Sequence, residues 1–317
     1  MVKRRRFPAS APYVVALADR NHDGRVAMAR RLVALAARAG ASAVKFTIPA
    51  KNAADRPLPV SAWPALRSEA GRAIDLVLAP QDAAGLSLAR RAHPDAYQID
   101  PWSLGDVDLL RRVARERRPV LVVAAGATTK TIAAALAALR PCPVVLLHAV
   151  LSDGLAPGRA RLRYVPWLAS RFRVPVGYAG REPGLGWALV AATLGAVVIE
   201  KLLTVDRSLP GADHAGSLEP DELASLVASL RHLKQALAPV GERRVFSEEL
   251  PSLEVADRGL VARRSLQRGH ALRGSDFEAR PGAGGLTPRL GAWLTGRRLR
   301  YDVEAGEPLT FGLVEME

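Results

Sequence analysis

Several residues in this chain carry reactive groups at places where neighbouring sequence could bring them together. Lys45 lies inside the short apolar run 43–47, where an ammonium is costly to bury unless its charge is answered, so it is expected to face a site. His148 closes the run 145–148, Tyr178 closes the run 174–178 with Arg181 three residues beyond, and Glu200 and Lys201 close the run 197–201. Asp213 and His214 sit in the polar stretch 206–220, and Arg280 precedes Pro281-Gly282. Lysine and arginine hold anions, carboxylates move protons or take hydroxyls, and imidazoles do either or bind metal. Each group also has a structural reading. Glu200 and Lys201 would form a strand-end ion pair, His148 a satisfied buried imidazole, Asp213 a loop anchor and Arg280 a turn or interface contact. Asp82, His148 and Glu200 are the one metal set that can be named from the residues, and no catalytic set is assigned.

Composition narrows the class. Of the 317 residues, 49% are hydrophobic and 24% charged, the balance of an ordinary globular protein large enough for one big domain and a small one. The net charge of +14 comes almost wholly from arginine. These arginines are spread through helical segments without interleaved aromatics, so no nucleic-acid partner is expected. The single cysteine, Cys142, excludes an internal disulfide and a cysteine zinc site. Lys3-Arg4-Arg5-Arg6 reads as a solvated tail, because Pro8 and Pro12 interrupt the short apolar stretch after it. No apolar run reaches membrane-spanning length; the longest, 188–203, is broken by Gly195, Glu200 and Lys201. The expectation is a cytoplasmic protein with no membrane partner.

The elements that must position the reactive residues follow from periodicity. Short apolar runs at 13–18, 43–47, 74–79, 96–99, 120–124, 145–148, 174–178 and 197–201 have the length of strands buried on both faces. Helical segments separate them at 26–39, 63–72, 83–91, 103–115, 129–139, 162–171 and 185–194, and Pro220 opens a last helix with Leu223, Leu226, Val227, Leu230, Leu233 and Leu237 on one face. Asp23 is expected to cap the first helix. Eight strands alternating with eight helices make an α/β fold of the (β/α)8 TIM barrel type over residues 1–240, with chemistry expected at the C-terminal ends of the strands. Residues 241–257 form a linker. Residues 258–317, rich in Gly and Pro with β-like runs at 260–263 and 309–313, form a small, mostly-β domain. So small a unit is expected to lean on the barrel or on a partner chain.

The segments Asn21-His22-Asp23-Gly24, Ala43-Val44-Lys45-Phe46, Pro175-Val176-Gly177-Tyr178, Val198-Ile199-Glu200-Lys201 and 206–220 resemble the sialic acid (N-acetylneuraminate) synthase family. In the small domain 260–269, Arg280-Pro281-Gly282 and 305–309 resemble the SAF, or antifreeze-like, domain that follows the barrel in that family. The resemblance implies condensation of phosphoenolpyruvate with an N-acetylated amino sugar. It also implies a divalent metal such as manganese or magnesium, and a SAF lid supplied by the other subunit of a domain-swapped dimer. It places Lys45, His148, Tyr178, Glu200, Lys201, Asp213, His214 and Arg280 at the barrel mouth or its lid.

The chain departs from that pattern where the metal would bind. Arg181 and Leu202 stand where the resemblance implies histidines. A guanidinium stays protonated and leucine has no donor atom, so no metal site and no cofactor is expected. The implied phosphate-holding residues are also replaced: Gln98 stands for a lysine, Asp100-Pro101-Trp102-Ser103 for a hydroxyl- and Gly-rich segment, Ala124-Ala125-Gly126-Ala127 for a Ser-Thr-Gly-Met run and Ala179 for a serine. Leu17 and Ser103 replace glutamates, and Arg161 an asparagine. The expectation is a degenerate member of surface-carbohydrate biosynthesis that has lost condensation and keeps a pocket for an amino sugar, a sugar acid or another small anion. It would act as a binding or partner protein, a homodimer or paired with an active paralogue. The alternatives are an active N-acetylneuraminate-type synthase, or a metal-independent enzyme in which Arg181 and Arg161 hold an anionic sugar.

Overall fold

The computed structural model describes residues 12–50, 57–152, 156–211, 213–239, 241–242, 245–249 and 258–316. The Lys3–Arg6 tail and most of the 241–257 linker lie outside the described residues. The chain divides into two compact units, Met1–Ala238 and Pro239–Glu317.

The first unit is a closed barrel of eight parallel strands: β1 (Tyr13–Leu17), β2 (Ala43–Ile48), β3 (Asp75–Pro80), β4 (Ala96–Ile99), β5 (Val120–Val123), β6 (Val144–His148), β7 (Val176–Gly180) and β8 (Val198–Leu202). Each pairs with its neighbour in sequence, and β8 returns to β1 with Tyr13 opposite Val198 and Val15 opposite Glu200. The intervening helices are α1 (Val26–Arg38), α2 (Ala62–Ala70), α3 (Ala83–Arg91), α4 (Val107–Ala114), α5 (Thr129–Ala138), the short α6 (Pro157–Ala160), α7 (Tyr164–Phe172), α8 (Gly186–Thr193) and α9 (Pro220–Ala236). The architecture is the one the periodicity implies.

Three local expectations change. Asp23 does not cap α1: it takes a left-handed conformation that closes a 3-10 turn over Asp19–His22, and Arg25 is the N-cap. The helix expected from residue 103 is split. Pro101–Ser103 form a 3-10 turn, and α4 starts only after Asp106, whose side chain accepts from Leu109 N at 2.9 Å. Strand β7 runs on to Gly180, because its burial continues past Tyr178.

Strand alternation makes two cores. Val15, Ala43, Val77, Ala96, Leu121, Val145, Leu147, Ala179 and Val198 fill the barrel interior. Leu146, Tyr178, Ile199 and their equivalents face the helices. Period two then places Lys45, Gln98 and Glu200, each two residues beyond Ala43, Ala96 and Val198, in an interior layer above the apolar one.

The second unit has its own hydrophobic cluster, including Leu260, Leu272, Phe277, Leu286, Leu294, Leu299, Leu309 and Val314. This is more core than its size alone implies. Its sheet pairs β9 (Arg258–Ala262) antiparallel with β10 (Phe277–Pro281), and a short α10 (Gly291–Leu294) comes after it. The run expected as a strand at 309–313 is instead a 3-10 turn over Phe311–Leu313. Buried Asp276 ties the turns by accepting from His270 Nε2 at 2.8 Å, Arg264 at 2.9 Å and Arg273 N at 2.9 Å.

The barrel interior leaves no room at Gly177, where a Cβ would meet Leu147 Cδ2 and Val198 O at 2.6 Å. Gly177→Ala is expected to destabilise the barrel by roughly 1–3 kcal/mol through overpacking. Urea unfolding of the variant against the parent checks this, and equal midpoints would count against the tight interior.

Candidate ligand-binding site

A cavity of about 470 Å³ opens at the C-terminal ends of the barrel strands, a volume in the range of small-ligand pockets. Its described lining carries three cations (Arg20, Lys45, Arg181) and three carboxylates (Asp19, Asp100, Glu200), with Thr47, Gln81, Gln98, Trp102 and Leu151 among the rest.

Lys45 organises the floor. Its ammonium is buried and donates to Thr47 Oγ1 at 2.7 Å and Asp100 Oδ2 at 3.2 Å, with Asp19 Oδ1 at 3.5 Å. Those three oxygens match its three donors. Burial pulls its pKa down, but Asp100, Asp19 and Glu200 outweigh that and hold it above the ordinary lysine range. Burial likewise pushes Asp19 up, and Lys45, the Thr47 hydroxyl, Arg181 and Arg20 bring it below the usual carboxylate range.

Glu200 differs from the other two carboxyls. Its burial, with Asp100 and Asp19 nearby, raises its pKa from 4.5 to about 7 against the opposing pull of Lys45 and Gln98. Gln98 Nε2 donates to Asp100 Oδ1 at 3.1 Å and lies 3.4 Å from Glu200 Oε1. Gln98 Oε1 and Glu200 Oε2 have no hydrogen-bond partner, although both residues are buried. A group that titrates near neutrality beside unpaired acceptors can exchange a proton with a bound hydroxyl.

The arginines form one side of the mouth. Arg20 makes a two-pronged contact with Asp213, Nε to Oδ2 at 2.9 Å and Nη2 to Oδ1 at 2.8 Å. Arg181 reaches the same Asp213 at 3.5 Å and Asp19 at 3.8 Å. Asn21 fixes this corner, donating to Leu203 O and Ser217 Oγ, both at 2.8 Å.

The structure therefore brings Lys45, Arg181 and Glu200 together in the cavity wall, with Asp213 behind Arg181. It does not bring the others there. Glu200 and Lys201 do not pair, because adjacent strand residues face opposite sides. Lys201 points outward, 2.9 Å from Glu182 Oε1, and also donates to the Glu182 carbonyl. Tyr178 shares that outer face, its hydroxyl 2.8 Å from Glu182 Oε2. His148 stacks beside Tyr178 and Tyr164 on the same face and contacts Ala160 O at 2.8 Å. Burial holds His148 below the ordinary imidazole range against that carbonyl. His214 is buried in its loop against Thr204 Oγ1 at 2.6 Å. Arg161 is exposed. Arg280 belongs to the second unit, where it lies half exposed and 3.2 Å from Glu278.

The residues do not fit the implied divalent metal. Asp82 caps α3 through Gly85 N, His148 faces outward and Glu200 inward, so the set named from sequence does not converge. Arg181 is engaged by carboxylates and Leu202 is buried. Among the described residues no group of three or more His, Cys, Asp or Glu is placed to hold an ion. Nor, among them, is any helix long and apolar enough to cross a membrane. Sequence reasoning passed over Asp19, Arg20, Thr47 and Glu182, and read Asp100 and Gln98 only as losses. Period two from Lys45 would have pointed to Thr47, and from Gln98 to Asp100.

Comparison with known proteins agrees with the fold and the resemblance. Residues 58–241 match the NeuB family and residues 257–315 match the SAF domain. The chain belongs to the NeuB family. It is 30% identical to the spore coat polysaccharide biosynthesis protein SpsE of Bacillus subtilis, over 92% of this chain and 91% of that one. It is 26% identical to N,N'-diacetyllegionaminic acid synthase of Legionella pneumophila, over 96% and 94%. Among solved structures, the N-acetylneuraminic acid synthetase of Leptospira borgpetersenii in complex with citrate superposes with a TM-score of 0.70 at 26% identity, over 77% of this chain and 91% of that one.

The Glu200 environment predicts a pH signature. An acid raised from 4.5 to about 7 on folding costs stability as pH climbs through that window, up to about 3 kcal/mol above it. The stability of Glu200→Gln relative to the parent is therefore expected to be least favourable below pH ~4.5, to improve up to about 7 and then to level off. Urea denaturation across that range checks it, and a pH-independent difference would remove the assignment.

Proposed function

We propose that this NeuB-family protein has lost metal-dependent condensation of phosphoenolpyruvate and keeps the barrel cavity as a sugar-binding pocket in nonulosonic acid or surface-carbohydrate biosynthesis. The observation that carries this is the state of positions 181 and 202. Where the family resemblance implies imidazoles, one position holds a guanidinium already engaged by Asp19 and Asp213, and the other a buried leucine. Neither side chain gives an electron pair to a metal. The floor supports the same reading. Lys45, the cation that would meet a phosphate, has its donors matched by Thr47, Asp100 and Asp19. In this proposal the protein works in the cytoplasm as a binding or partner protein. It forms a domain-swapped homodimer or pairs with an active paralogue.

One observation favours a second reading, a metal-independent enzyme acting on a sugar. Glu200, raised to about 7, is placed to give or take a proton at a ligand hydroxyl. Consumption of an amino sugar or sugar acid by the purified protein, lost in Glu200→Gln, would select it.

The first reading predicts that the purified protein with phosphoenolpyruvate, N-acetylmannosamine and manganese releases no inorganic phosphate above a protein-free blank. It also predicts no saturable manganese binding by calorimetry. Phosphate release in that assay would overturn the proposal and restore an active synthase.

A further inference from the structure

The end of the barrel opposite the cavity carries charge that the cavity chemistry does not use. There, four consecutive turns lead from a helix into the next strand: 92–95 after α3, 115–119 after α4, 139–143 after α5 and 173–175 after α7. These turns and the helix ends before them hold Arg91, Arg115, Arg117, Arg140, Arg171 and Arg173, all exposed. In sequence these arginines are spread over more than eighty residues, but barrel closure lays the turns side by side. Tyr97 N donates to Pro119 O and Val120 N to Pro143 O, both at 2.9 Å, and Leu146 N donates to Pro175 O at 3.0 Å. The acids of 91–95, 115–119, 139–143 and 171–175 are Asp95 and Glu116, and these already pair with Arg67 and Arg90. Among the described residues none of the six arginines pairs with a carboxylate. Cations beside helix C-termini offset the helix dipole, which is a structural reading for Arg91 and Arg171. It does not extend to Arg117 and Arg140, which lie beyond the C-caps Arg115 and Leu139. Arg117 and Arg173 also take left-handed conformations, φ 52° and 54°, where glycine fits with less strain. No ion pair within the chain offsets that cost.

We infer that this face of the barrel docks on an anionic lipid bilayer, its unpaired guanidiniums meeting lipid phosphates. The inference is independent of what the cavity binds, and it replaces the sequence expectation of no membrane partner. Guanidinium is suited to phosphate, which it can hold through two parallel hydrogen bonds. The arrangement selects a bilayer over a nucleic acid. The arginines follow an arc of four turns around the barrel rim, so a planar headgroup layer can meet all of them, whereas a straight duplex would meet only those along one line. The turns are short, and none presents a helix or ribbon that could enter a groove. No exposed Trp, Tyr or Phe lies among these residues to stack on bases. Among the described residues no helix can cross a membrane, so the contact is peripheral. Held by charge alone, it is reversible and weakened by salt.

The test is co-sedimentation of the full chain with vesicles, either pure phosphatidylcholine or phosphatidylcholine mixed with phosphatidylglycerol. The protein is expected to pellet with the anionic vesicles at low salt, to be released at high salt and to ignore the neutral ones. The triple variant Arg117→Gly, Arg140→Gln, Arg173→Gly is expected to lower the partition coefficient about a hundredfold, each charge being worth roughly fivefold near an anionic surface. Glycine at the two left-handed positions keeps the turns intact, so Tm is expected not to fall. A control triple, Arg268→Gln, Arg289→Gln, Arg300→Gln, removes as much charge from exposed positions of the second unit and is expected to bind nearly as the parent does. Equal binding to neutral vesicles, no binding to anionic ones, an unchanged partition in the barrel variant or an equal loss in the control would each overturn the inference. So would retention of a DNA duplex tighter than that of the anionic vesicles at the same salt and lost in the barrel variant, which would assign the face to nucleic acid.

Discussion

The buried ammonium of Lys45 is the constraint on which the rest of the site depends. An ammonium inside a barrel cannot stay charged without partners, and the protein supplies them from two loops, Asp19 after β1 and Asp100 after β4. That pairing ties two strand ends together across the barrel mouth. It also sets the electrostatics of the floor. Burial above all raises the third carboxyl, and the neighbouring Asp100 and Asp19 add to it against the pull of Lys45, so Glu200 is driven up to about 7. Removing one partner of so buried a group leaves a charge uncompensated, which typically costs several kcal/mol and couples cavity chemistry to barrel stability.

A second polar cluster illustrates how much the strand period decides. Glu200 and Lys201 are adjacent in sequence, yet one joins the cavity and the other the helix layer. On that outer face Glu182 satisfies both the Lys201 ammonium and the Tyr178 hydroxyl, and burial lowers the lysine below its ordinary range against the pull of Glu182. This cluster holds the loop after β7 against β8. The Arg20–Asp213–Arg181 corner holds the same loop from the cavity side. Arg181 is therefore positioned from both directions by groups that are themselves fixed.

The fold was legible because parallel barrel strands are buried on both faces and appear as unbroken apolar runs between amphipathic helices. The boundaries that moved did so for local reasons: Asp106 caps α4 in the middle of an expected helix, and the short turn over Asp19–His22 occupies Asp23 before α1 begins. Of the site, Lys45 was legible because a charge inside an apolar run must be answered. The identity of its partners was not, because Asp100 lies 55 residues away and is brought near only by barrel closure. His148 and Tyr178 looked like mouth residues because they end their strands, but their parity sends them to the helix layer. Trp102 was read only as a departure from a pattern. Its exposure depends on how the turn after β4 lies, which periodicity does not address.

Where the family resemblance implies a metal-binding imidazole, Arg181 would put a guanidinium's charge in place of a divalent ion's and change what that charge can do. A divalent ion accepts electron pairs, so it can polarise a carbonyl and lower the pKa of water. A guanidinium only donates hydrogen bonds, in fixed directions and at a pKa far above neutrality. Here those directions are largely committed: Arg181 spans Asp19 and Asp213, both of which also engage a second cation. The charge then serves the architecture of the mouth, neutralising the carboxylates that hold Lys45 and Arg20. A cavity built this way presents paired charges at its walls.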